Sequence, residues 1–231
     1  MDMNVEQFLE KVLESFSEID YVRTGDIPSI DLYMDQVTTF MDSKLKNSTR
    51  NPEEDKILTK TMINNYAKSD LLPPPVRKKY TKEHLLVMIF IYYFKSVMSI
   101  GDIEVILNPI TERYFGKSNM CMKDIYGEIL KLEIPQLAKL EEDLKEKCEV
   151  AKVSFDDAAD KDRDFLQIFA LICMLSVDVF SKKLLIERMV DELAKMTESE
   201  KGEAAKEETT KKEAKKENKK EAKKEAKKTE E

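Results

Sequence analysis

Residues 85–94 read LLVMIFIYYF, ten apolar or aromatic side chains in unbroken succession. A helix over this stretch has no polar side, so other elements must enclose it on every face. It reaches only about half of the roughly 20 apolar residues needed to cross a bilayer, and the segment 165–180 is interrupted by Gln167, Ser176 and Asp178. Both runs are therefore predicted to be core helices. Upstream, Thr81 supplies an N-cap and Glu83 an acidic first turn, which fixes where the central helix begins.

The rest of the chain has the means to wrap such a helix. Of 231 residues, 42% are hydrophobic and 37% charged, with only five glycines and seven prolines. A chain so poor in turn formers and so rich in helix formers is predicted to be all-α, or mainly helical. Val5, Phe8, Leu9, Val12, Leu13, Phe16 and Ile19 recur at steps of three and four, one face of an amphipathic helix ending before Arg23-Thr24-Gly25-Asp26. A second helical pattern opens at Pro28-Ser29 and runs through Tyr33, Val37, Met41 and Leu45 into the polar loop 46–55. Leu58, Met62, Ile63 and Tyr66 predict a short helix, which Pro73, Pro74 and Pro75 must stop by Leu72. Ser99 and Asp102 form a capping box for a helix over 103–114, and further helices are expected over 121–132 and 135–148.

After a polar connection at 151–163, a long helix is predicted over 165–193. Its apolar residues follow a heptad seam broken only at Lys182. Ile168, Ile172, Leu175 and Val179 mark that seam as a dimerisation surface; the alternative is a helix that caps its own domain. From Thr197 onward, twelve lysines and eleven glutamates replace every large apolar residue, so this tail is expected to be disordered or marginally helical. The predicted organisation is an N-terminal amphipathic helix (1–25), a head (26–115), a C-terminal helical region (116–196) and the charged tail (197–231).

The formal net charge is −7, yet residues 56–82 hold seven basic side chains against Asp70 alone. Within that basic segment, the short helix carries Lys60, Asn64, Asn65 and Lys68 away from its apolar face. Asparagine suits adenine edges, and lysine suits phosphate or guanine. A proline-stiffened turn leads on to Arg77, Lys78, Lys79 and Lys82, placed to meet a nucleic-acid backbone. Tyr66, Tyr80 and the sole histidine, His84, are assigned to the packing of the head.

The order of parts in 58–107 resembles the winged helix-turn-helix of MerR-type regulators. The matching pieces are Thr59–Tyr66 as recognition helix, Leu71-Leu72-Pro73-Pro74 as turn, Arg77-Lys78-Lys79-Tyr80 as basic wing, Thr81–Glu83 as cap and Ser99–Ile103 as the start of the next helix. Over residues 26–107, with DIPSIDLYMDQVTTFMD ahead of these pieces, the chain looks more like an uncharacterised family of Firmicutes proteins described as a domain of unknown function and regarded as regulators. The resemblance implies a winged head with a minimal β wing, duplex DNA as partner and pairing into a homodimer. It departs from the MerR pattern in the inserted stretch 46–55 and in a wing too short for a long hairpin.

Other function classes find little footing. No glycine-rich phosphate loop, GxSxG elbow or HExxH motif is present, so the chain is expected not to be an enzyme. Cys121, Cys148 and Cys173 lie far apart, which suggests neither a disulfide framework nor a metal site. They read as buried thiols in a reducing compartment, and with the acidic, amphipathic N-terminus they predict a cytoplasmic protein without cofactor, metal or membrane partner. The competing function is a protein-interaction adaptor that keeps the winged-helix scaffold without binding DNA.

Overall fold

The computed structural model describes residues 4–16 and 21–228. Ile19, predicted to close the first helical face, lies outside them. The elements run α1 (Val5–Phe16), β1 (Leu32–Tyr33), α2 (Met34–Leu45), α3 (Lys60–Lys68), β2 (Lys79–Tyr80), α4 (Lys82–Phe94), α5 (Ile100–Tyr114), α6 (Met122–Lys152) and α7 (Asp160–Lys228). The fold is mainly α, with one two-stranded antiparallel sheet that pairs Leu32 with Tyr80 and Tyr33 with Lys79. The chain divides into two compact units, residues 1–185 and 186–231.

Within the first unit, α4 is the enclosed central helix that its composition demands: every residue from His84 to Ile91 is buried. Around it gather Val37, Met41 and Leu45 of α2, Ile63 and Tyr66 of α3, Ile103 and Leu107 of α5, and Met122, Tyr126 and Leu130 of α6. Each such aliphatic or aromatic side chain contributes about 1.5–3 kcal/mol on burial. Glu83 in the first turn of α4 accepts from the Gly116 amide at 2.5 Å and the Met122 amide at 3.2 Å, and so fixes the start of α6 beside the start of α4. The inserted stretch after α2 begins as a 3₁₀ turn, Lys46–Ser48, and is fastened to α4 by the Ser48–Tyr92 hydroxyl pair at 2.7 Å.

A separate apolar cluster joins Val5 and Leu9 of α1, Cys148 and Ala151 of α6, and Ile168 and Leu171 of α7. Lys152 pairs with Glu6 at 2.9 Å along its edge. Buried Gln167 donates to the carbonyls of Lys152 (2.8 Å) and Ser154 (3.1 Å), which have no acceptor role left within α6. These two cores explain the architecture of α6. The sequence predicts a break between 132 and 135, whereas α6 passes through Pro135 without interruption. Its two ends are anchored in different clusters while residues 131–136 are all exposed, so a local loss of about 3 kcal/mol at the proline is outweighed.

Two further boundaries differ from expectation. Residues 28–31 are not helical, because Leu32 and Tyr33 extend to pair with the wing and α2 starts only at Met34. α5 starts at Ile100, directly after its cap Ser99, whose Oγ accepts from the Asp102 amide at 3.2 Å. In the second unit the backbone of the Lys/Glu-rich tail continues α7 as far as Lys228, following the helical alternative. No helix among the described residues is long and apolar enough to cross a membrane. The thiols are not uniformly buried: Cys148 is, Cys121 is half-buried and Cys173 is exposed on α7.

Candidate nucleic-acid interface

α3 is a short helix with a well-defined start. The Thr59 hydroxyl accepts from the Met62 amide at 3.2 Å, and Ile63 and Tyr66 anchor the inner face. Asn64, Asn65 and Lys68 are left exposed on the outer face. Beyond Ser69 the chain reverses at Asp70 (φ 57°), and Leu71 and Leu72 plunge into the core. The Leu72 amide donates to the Tyr66 carbonyl at 3.0 Å, so the end of α3 and the start of the proline segment are held as one piece.

The segment Val76–Lys79 is a tight hairpin turn closed by the Lys79 amide on the Val76 carbonyl at 3.0 Å. Arg77 and Lys78 at its apex both have positive φ, 52° and 63°. Two-residue hairpins of this hand favour Asn-Gly because L side chains are strained there. The position is thus occupied by two exposed cations where conformation alone would select small residues. Next to the turn, Lys79 places its ammonium 5.4 Å from the centre of the Tyr33 ring, and Tyr80 is buried.

The base of the wing is set by His84. The Thr81 amide donates to His84 Nδ1 at 3.0 Å, so the neutral ring carries its proton on Nε2. That nitrogen is buried facing the Pro73 and Pro74 carbonyls without making a hydrogen bond of good geometry. Burial holds the His84 pKa below its ordinary value, with the two proline carbonyls opposing. Edge contacts to Tyr80 at 5.5 Å and Phe115 at 4.7 Å complete the setting.

The residues predicted to touch DNA do not all present a free charge. Lys60 forms an ion pair with Asp35 at the start of α2. Tyr33, under Lys79, lies two residues before Asp35, so the start of α3 and the base of the wing converge on one short stretch of chain. Lys82 is turned inward, with Nζ donating to the Thr24 carbonyl at 2.6 Å and its pKa lowered by burial and by Lys123. Arg77 and Lys78 remain exposed alongside Asn64, Asn65 and Lys68. Tyr33, half-exposed on β1, escaped sequence reasoning because it is paired with the wing from 46 residues away, and periodicity placed it inside a helix.

The four residues predicted as one dimerisation seam separate in the structure. Ile168 is buried in the cluster with α1 and α6, and Leu175 packs against that cluster. Ile172 and Val179 lie at the exposed edge of the same stripe, where α1 and α6 do not cover it, and Phe165, Phe169 and Phe180 are exposed beside them. Among the described residues no group of His, Cys, Asp and Glu is arranged to hold a metal ion.

Of the two resemblances, comparison with known families supports that to a domain of unknown function, without a role attached to it. Residues 22–129 match a domain of unknown function, DUF1836. The matched segment extends beyond the predicted 26–107 at both ends, taking in Val22 and the turns of α6 that carry Tyr126 and Ile129. That extent agrees with the packing, since those residues belong to the core around α4. The broader MerR-type likeness finds no such match. No curated protein and no solved structure matches the chain.

Proposed function

We propose that the head, residues 26–115, binds duplex DNA as part of a sequence-specific transcription regulator. α3 lies in the major groove, with Asn64 and Asn65 at base edges and Lys68 near the backbone; Arg77, Lys78 and Lys79 meet flanking phosphates. The observation that carries this reading is the apex of the wing, where Arg77 and Lys78 hold positive φ at 52° and 63° in an exposed turn. Strained backbone at an exposed cationic site is a recurrent mark of binding function. Lys60 takes part by exchanging its Asp35 partner for phosphate, while Lys82 serves the scaffold.

Two heads are brought together by the outer face of α7. Phe165, Phe169, Ile172, Ser176 and Val179 succeed one another at steps of four and three, the spacing of a coiled-coil seam. All four apolar members are about half exposed or more, a contiguous patch of the kind that marks interfaces. A second reading, a protein-interaction adaptor, draws on the same patch and on the Asp35–Lys60 pair, which reduces free positive charge beside α3.

Recovery and sequencing of genomic DNA bound to the full chain tests the proposal. The expected result is a shared, two-fold symmetric motif that Asn64→Ala/Asn65→Ala blurs at each half-site by about 1–3 kcal/mol of discrimination per base. Recovery of no DNA above background would favour the adaptor.

A further inference from the structure

Between α4 and α6 lies a cavity of about 330 Å³, none of whose lining residues belongs to α3 or the wing turn. Tyr21, Phe90, Tyr93, Phe94 and Tyr126 line it, and Glu133 stands among them. The rings form a connected set: Phe90 lies 5.3 Å from Tyr126 and 5.8 Å from Phe94, and Tyr21 lies 6.2 Å from Tyr93. Tyr126 commits its hydroxyl to the Val22 carbonyl at 2.6 Å, so the buried phenol acts in the cavity as an aromatic ring rather than as a donor. Tyr21, Tyr93 and Phe94 are only partly buried, which leaves the cavity open to solvent.

Five rings line the cavity and the exposed Glu133 carboxylate stands at its edge, a specific electrostatic environment. Aromatic faces attract cations and repel anions. The Glu133 carboxyl is held above its ordinary pKa by its apolar surroundings, and it in turn raises the pKa of Tyr21 and Tyr126. Among the described residues no ion pair to Glu133 is found. Among the described residues, then, the cavity pairs one carboxylate with cation-attracting rings and places no cationic side chain in its lining.

We propose that this cavity binds a small lipophilic organic cation, such as a quaternary ammonium or alkylated amine, held between the aromatic rings and the Glu133 carboxylate. The size is at the lower end for ligand pockets, which suits a cation of roughly ten heavy atoms rather than a dinucleotide or peptide. The site stands independently of DNA binding, because its residues lie on α4, α6 and the chain before β1 and share none with α3 or the wing turn.

Calorimetric titration of the full chain with benzyltrimethylammonium tests the proposal, with benzenesulfonate as a ligand of similar size and opposite charge. One saturable site for the cation and none for the anion is expected. Glu133→Gln, isosteric and at an exposed position, should retain the wild-type melting temperature while weakening the cation about tenfold. Leu137→Trp, which adds bulk at the rim to a chain with no tryptophan, should abolish binding and provide a fluorescence check of folding. No saturable binding up to millimolar cation, or equal affinity in Glu133→Gln, would overturn the assignment, as would equal binding of benzenesulfonate.

Discussion

A single proton separates two states of the wing base. His84 Nδ1 accepts the Thr81 amide at 3.0 Å, and a protonated imidazole would present a donor to that donor. Its folded pKa is depressed by burial. The neutral ring is thus the form the fold prefers, and its contribution is fully present above the unfolded value of about 6.5. As pH falls below that value the unfolded chain takes up the proton first, and stability drops by up to about 1.4 kcal/mol per pH unit until the folded ring titrates. His84→Gln keeps an acceptor for the Thr81 amide but cannot titrate. Denaturant melts at pH 7.5 and pH 5.0 should show a smaller acid loss in His84→Gln than in the wild type; equal losses would remove His84 as the cause.

At the scale of elements, helices whose pattern arises from one neighbouring face were legible in the sequence, and long-range pairings were not. α1, α3 and α4 announce themselves through apolar spacing, capping and the proline stop. β1 did not, because its two residues extend only to meet a partner far along the chain. Pro135 misled because a proline's local cost says nothing of two remote anchors. α7 carries a broad apolar stripe of which α1 and α6 cover only part, and a heptad count does not tell the covered residues from the exposed ones. The candidate site was legible as a set of residue types, whereas the inward turn of Lys82, the Asp35 partner of Lys60 and the part of Tyr33 required the tertiary structure.

Two predictions belong to these elements. Arg77→Asn/Lys78→Gly places favoured residues at the positive-φ apex, so the thermal midpoint should rise, by about 1 kcal/mol in stability, while DNA binding weakens. Loss of stability would contradict the strain assigned to the turn. On α7, Phe169→Glu/Ile172→Glu charges the exposed face and should yield folded monomers in sedimentation, whereas Ile168→Glu charges the core shared with α1 and α6 and should cost several kcal/mol of stability. A wild-type monomer at tens of micromolar would end the pairing proposal.

For the whole molecule, the decisive balance is between a chain of net charge −7 and a head whose segment 56–82 carries seven basic residues against one acidic. An acidic body limits non-specific attraction to DNA, so the proposed affinity would have to come from the few exposed cations beside α3 and at the wing. The most direct measurement is the affinity of the full chain for duplex DNA across a series of salt concentrations, with wild type and Arg77→Ala/Lys78→Ala/Lys79→Ala compared. The account predicts affinity that falls steeply with salt in the wild type. In the triple variant it predicts weaker binding to all sequences alike and a slope shallower by about one unit for each phosphate no longer neutralised. Unchanged affinity and slope in the triple variant, or no DNA binding by the wild type at low salt, would contradict it.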